Sequence, residues 1–451
     1  MHREFSWPES MDHELQSIEQ LEVGNAGQWL QSQRAKGLDD SAIHLLLALA
    51  SARFVDHHGP FLGHGIFNGG PMLRAASLLP RPYRNLALLQ QTAYVVDLLQ
   101  QPNYGPYLLL EMLPFIEDTV EASRAQLCAT IESGEHALEA EHRLVGLLKT
   151  DSAADVHRLL IEIALRQFHE NEHRLLIVHR AAQLMDDTRG WTWVEPIFRP
   201  AVQYLGTHPI VRHPDIWDVP EDIVEWHGSV ANIEAAVEQL IDADYGDETR
   251  MLREMLYLRL PLLEIISVTG AEMLCRSGFD AHAVTGIHCI LDLLHDSAAT
   301  PRVKALAVDA ALLGQRTRRQ KAQRSTWRQL LRPRPLQRTV DELRDIVAHD
   351  GSGFYAMEAA GGMLLAGVDA TAIARTLMEV ALTTSGPFDA IHNVKMLWGQ
   401  LLETRRSRFP EISWKHLAAG ARVVAETAKE STVDVAPIMS LWHSMELFKG
   451  H

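Results

Sequence analysis

An all-α fold, arranged as an irregular HEAT-like array of α-α pairs, is predicted by three observations. Apolar residues recur at three- and four-residue steps along most of the chain, strand-like alternation is nearly absent, and helix start and stop signals punctuate the sequence at short intervals. The clearest periodic run is LLIEIALRQFHENEHRLLIVHRAAQLM (159–185), which reads as helix over several turns. Asp218-Val219-Pro220-Glu221 sets an N-cap residue ahead of a proline suited to the first helical turn, and Thr339-Val340-Asp341-Glu342 has capping-box spacing. PRVKALAVDAALLG (301–314) and GFYAMEAAGGMLLAGVDATAIARTLMEVAL (353–382) carry small residues where stacked helical hairpins would touch, although no strict period emerges.

Breakers divide this helical text at Pro80 to Pro82, at the aromatic and proline segment from Trp191 to Pro220, at Pro301 and at Arg332-Pro333-Arg334-Pro335. They predict three regions, 1–190, 191–333 and 339–451, packed as one continuous helical unit around a central histidine-lined cavity. With 451 residues, 47% hydrophobic and 22% charged, the chain has ordinary globular composition and length for a large core.

Asp and Glu number 58 against 42 Lys and Arg, for a net charge of -16, which argues against a general nucleic-acid or anionic-membrane surface because phosphate binding needs a cationic field. The exception is local. Arg316 to Arg338 carries nine basic residues and no acid, and reads either as a solvated helix and linker or as a dock for an acidic partner. Cys128, Cys275 and Cys289 form no CxxC pair, the first residues lack the apolar core of a secretory signal, and no apolar run approaches the roughly 18 residues of a membrane span. A cytoplasmic protein is expected.

The chain holds 23 histidines, and four pairs are six residues apart: His58 with His64, His136 with His142, His173 with His179, and His282 with His288. Six helical residues turn through about 600°, so such rings project roughly 120° apart and do not chelate from one helix face. Closer spacing occurs at His169-Glu170-Asn171-Glu172-His173, formally HExxH, where an i, i+4 imidazole pair grips one ion and Glu170 would activate a metal-bound water. Glu170-x-x-His173 and Glu139-x-x-His142 also match the Glu-x-x-His element of carboxylate-bridged di-iron bundles, with Glu111 and Glu117 available upstream. His64, His282, His288 and His392 lie among small and apolar neighbours, where burial favours a neutral ring in need of a hydrogen-bond partner, a metal or a substrate.

Ser41 to Leu49 with His44, Gly59 to Asn68 with His64, and His282-Ala283-Val284-Thr285 resemble, in the same order, the histidine motifs of questin oxidase-like proteins. The resemblance implies an all-helical oxygenase that performs Baeyer–Villiger-type ring oxidation of aromatic polyketides, with His44, His64 and His282 at the matching positions. No GxGxxG follows a strand-like run, and neither a GxxxxGK[ST] loop nor a GxSxG elbow occurs, so dinucleotide, nucleotide and serine-hydrolase chemistry have no anchor.

Two functions are therefore expected in competition. The first is an oxidoreductase of the monooxygenase kind, acting on a small aromatic or polyketide-like substrate in a buried pocket. His64, His282 and His288 would be catalytic there, His169, Glu170, His173 and His392 would hold iron or another divalent transition metal, and Trp191, Trp193 and Trp226 would line the aromatic subsite. The second is a non-enzymatic helical scaffold, whose histidines are ordinary core and surface residues. Convergence of His64, His173, His282 and His392 separates the two.

Overall fold

The computed structural model describes residues 3–58, 63–101, 107–168, 172–209, 211, 219–242, 247–278, 282–321, 330, 332–430 and 435–447. Among them the chain is all-α: helices follow one another from Glu9–Glu19 to Val435–Leu447, and a lone antiparallel bridge between Glu4 and Leu110 stands in place of any sheet. No helix among the described residues is long and apolar enough to cross a membrane. The chain divides into two compact units, one formed by Met1–Gln167, His173–His213 and Pro437–His451, the other by Phe168–Glu172 and Pro214–Ala436.

The first unit is built around Asp40–Phe54. Asp39 caps this helix by accepting a hydrogen bond from the Ala42 amide at 2.8 Å, and from Ile43 onward nearly every side chain is buried. A helix apolar on all sides needs neighbours on all sides. It has them in His64–Phe67, Gly69–Ala76, Arg81–Gln100, His173–Thr188 and Val194–Gly206. The run at 159–185 is two helices rather than one: Ala153–Arg166 ends at the cap Gln167 and His173–Thr188 begins six residues later.

In the second unit, Leu262–Ser277, His282–His295, Pro387–Arg406 and Pro410–Glu430 pack on one another. Leu262–Ser277 stops at Gly278, whose φ of +67° is free to a residue without Cβ and whose amide donates to the Leu274 carbonyl at 2.8 Å. The capping box at Thr339 forms in both directions, with the Glu342 amide 3.2 Å from Thr339 Oγ1 and the Thr339 amide 2.8 Å from Glu342 Oε2. Neighbouring helices pair along the chain, as do Ala370–Thr384 and Pro387–Arg406, but Pro410–Glu430 also packs on the distant Leu262–Ser277 and Phe354–Leu365. A strict repeat array, in which each repeat meets only its neighbours, lacks such contacts.

The Arg-Pro-Arg-Pro element lies within the second unit and runs along Phe354–Leu365. There the Leu336 amide donates to the Gly362 carbonyl at 2.9 Å. Most of the basic stretch before it falls outside the described residues. Arg332, Arg334 and Arg338 are exposed, and Arg338 approaches Glu342 to 3.6 Å. A Cβ on Gly362 would meet the Arg334 carbonyl oxygen at 2.7 Å and Leu336 Cβ at 2.9 Å, while one on Gly361 would meet Trp414 at 2.7 Å. Small residues here set how closely chain and helix approach. Gly362→Ala is accordingly expected to destabilise the protein by about 1–3 kcal/mol in denaturant unfolding. Gly24→Ala, at a position with nothing within 4 Å of the added carbon, should leave the midpoint within error.

Candidate functional site

In the first unit two of the sequence-predicted histidines meet. His64 opens the helix His64–Phe67 and His173 opens His173–Thr188, and their Nε2 atoms lie 3.2 Å apart across 109 residues of chain. Both rings are buried, with the Phe67 ring 4.7 Å from His64 and 5.5 Å from His173. His173 begins its helix, and residues 169–171 of the HExxH run, His169 and Glu170 among them, fall outside the described residues.

The remaining candidates have other partners. His142 Nδ1 bonds the Leu113 carbonyl at 2.6 Å and its ring stacks on Phe115, while Glu139 and Glu117 both take Arg143, at 2.7 Å each. That second Glu-x-x-His copy is occupied in holding two chain segments together. In the second unit, His392 Nδ1 bonds the Phe388 carbonyl one turn earlier at 2.6 Å. His282 opens the helix His282–His295, and its side chain is outside what the structure describes. Trp191 bonds Asp186 at 2.7 Å and Trp193 stacks on Trp7 at 5.7 Å, so both serve packing. Among the described residues no three His, Cys, Asp or Glu side chains gather as a complete metal site would require.

His288 leads to a site. Its Nδ1 lies 2.7 Å from Glu403 Oε1, and Glu403 lines a cavity of about 270 Å³ within the second unit. Helical spacing builds the polar floor: Glu264 and Ser267 share a face of Leu262–Ser277, and Glu403 and Arg406 share a face of Pro387–Arg406. His295, at the end of its helix, and Ser407 complete it. Trp226, Leu263, Pro261 and Ile223 form an apolar wall, so of the three tryptophans singled out in the sequence it is Trp226 that faces a cavity.

The floor is a connected network. Ser267 Oγ lies 3.5 Å from Glu403 Oε2 and 3.4 Å from His416 Nε2, and Arg406 bonds Glu403 and Asp292 at 2.8 Å each. Burial alone would raise the Glu403 carboxyl, yet the hydrogen bond and charge of His288, with Arg406, hold it below the usual carboxylate range. An ionised carboxylate only accepts, so it fixes a proton on His288 Nδ1. Glu264 behaves oppositely. Burial pushes it up to about 6, the charge of Glu403 adds to the rise, and the hydroxyl of Ser407, which donates to it, only partly offsets them. Burial pulls His416 down to about 4 and lowers His295, leaving both rings neutral near pH 7. Glu264, Ser267, Glu403 and His416 carry no motif. Their one sequence signal is a polar residue inside an apolar helical run, as in Leu262-Leu263-Glu264-Ile265-Ile266.

Burial also lowers His44 to about 4 and both His57 and His157 to about 3. With His416, four rings stay neutral in the fold yet take up protons once unfolded, below the ordinary histidine value of 6.5. The unfolded chain therefore binds more protons, and stability falls as pH falls from about 6.5 toward 4. Each ring contributes up to about 1.4 kcal/mol per pH unit, and together they rival the whole stability of a domain. The urea midpoint is expected to fall steadily from about pH 6.5 to 5, with cooperative loss of helix by circular dichroism only below about pH 5. A flat denaturation midpoint over that interval would count against neutral burial of these rings. No protein-family model matches the chain, and no curated protein and no solved structure matches it.

Proposed function

We propose that the chain is a cytoplasmic enzyme that transfers protons on a small, mostly apolar organic molecule held in the cavity of the second unit. The observation that carries this reading is the separation of two carboxyls at one cavity: Glu264 pushed up to about 6 and Glu403 held down. A carboxyl titrating near 6 is mostly ionised at pH 7 and returns a proton readily, which suits a general base that then acts as an acid. Trp226 and the apolar wall fit a phenol or an enolisable aromatic ketone. Glu403, held by Ser267, His288 and Arg406, keeps Glu264 basic.

The oxygenase chemistry implied by the questin oxidase-like motifs belongs to the same proposal, since a phenolate or enolate formed at Glu264 is the electron-rich carbon nucleophile that adds to dioxygen, which is reduced to a hydroperoxide as the carbon is oxidised. The competing reading, a partner-binding helical scaffold, draws on the exposed apolar side chains of Leu113, Phe115 and Ile116 in the first unit.

Proton exchange on a panel of phenols and enolisable ketones in deuterated buffer tests the proposal. The rate is expected to rise with pH through about 6 and level above it, because the base must be ionised. Glu264→Gln should lower the plateau by roughly 100-fold or more. Undiminished exchange by a folded Glu264→Gln protein would refute the assignment. Glu403→Gln removes a charge that raises Glu264, so the midpoint of the profile should move to lower pH; an unmoved midpoint would deny Glu403 its positioning role.

A further inference from the structure

His64 and His173, which the cavity chemistry does not use, present their Nε2 atoms to each other at 3.2 Å. One ring can donate to the other, but the same arrangement suits two acceptors turned toward a third, electron-poor atom. Metal–nitrogen bonds of about 2.0–2.1 Å spanning that separation close an N–metal–N angle of roughly 100°, between the tetrahedral and octahedral values.

The pair is also held in place from both sides. His64–Phe67 and Gly69–Ala76 press onto His173–Thr188 through glycines that leave no room for a side chain. A Cβ on Gly63 would meet Ile177 Cδ1 at 2.8 Å, and one on Gly70 would meet the Leu184 amide nitrogen at 3.1 Å and the Arg180 carbonyl at 3.2 Å. Phe67 covers both rings, and Tyr94 stands edge-on to His64 at 6.1 Å. Close-packed backbones and the Phe67 cover maintain the separation, which is the preorganisation a metal site needs.

We propose that His64 and His173 form a two-imidazole site for one borderline divalent ion of the zinc and copper class, with water or an exogenous ligand filling its other positions. Imidazole nitrogen suits these ions, and copper(II) should bind more tightly than zinc(II). The site lies in the first unit and does not depend on the cavity of the second.

Metal-stripped full-length protein titrated with Cu²⁺ and with Zn²⁺ against a chromophoric chelator is expected to take up one equivalent in competition. His64→Ala and His173→Ala should each weaken that uptake tenfold or more, and the double variant no further than the weaker single one. His392→Ala should bind as the parent does. The Cu²⁺ resonance spectrum should carry coupling to two imidazole nitrogens. Zinc should raise the melting temperature of the parent and of neither variant, and His173→Gln, closer in size and polarity, gives the same comparison if an alanine variant folds poorly. Undiminished uptake in both folded variants, or none in the parent, would overturn the site.

Discussion

The ionised carboxylate of Glu403 is the point on which the second unit depends. A buried charge is costly unless it is paired and hydrogen-bonded. Its partners come from different helices: Ser267 from Leu262–Ser277, His288 from His282–His295, and Arg406 from its own Pro387–Arg406. His416, from Pro410–Glu430, closes the network through Ser267. Satisfying one carboxylate thus sets the rotation of four helices about their axes. The cavity lies beside this junction, and its polar floor consists of the groups that the junction orients.

The same physics gives Glu264 its distinct character. It sits against an apolar wall with a like charge nearby, and the Ser407 hydroxyl and the amide and charge of Arg408 only partly offset its burial, where Glu403 has an imidazole and a guanidinium. Two carboxyls of equal intrinsic acidity are thereby separated by environment alone. Arg406 serves both sides of the arrangement, because it neutralises Glu403 and anchors Asp292 while remaining on the cavity floor.

Close approach governs the first unit in the way that charge governs the second. Glycines at 63, 69 and 70 allow short helices to lie against His173–Thr188, and the imidazoles of His64 and His173 meet as a consequence. The neutral rings of His44, His57 and His157 are tolerated in the core because burial suppresses their protonation, which ties the integrity of the fold to pH.

Helical class, the capping box at Thr339 and the contact role of the small residues at 361 and 362 were legible in the chain, because each rests on residues within a few turns of one another. The inward placement of His64, His288 and His392 was legible for the same reason: an apolar helical neighbourhood is a local property. The break between Arg166 and His173 was not, since periodicity continues across it and no proline or glycine marks it. Nor were Glu264, Ser267, Glu403 and His416 distinguishable from other polar residues on helices. Their chemistry arises only when helices separated by more than a hundred residues remove water from them and bring a partner or a like charge close, and no local pattern encodes that distance.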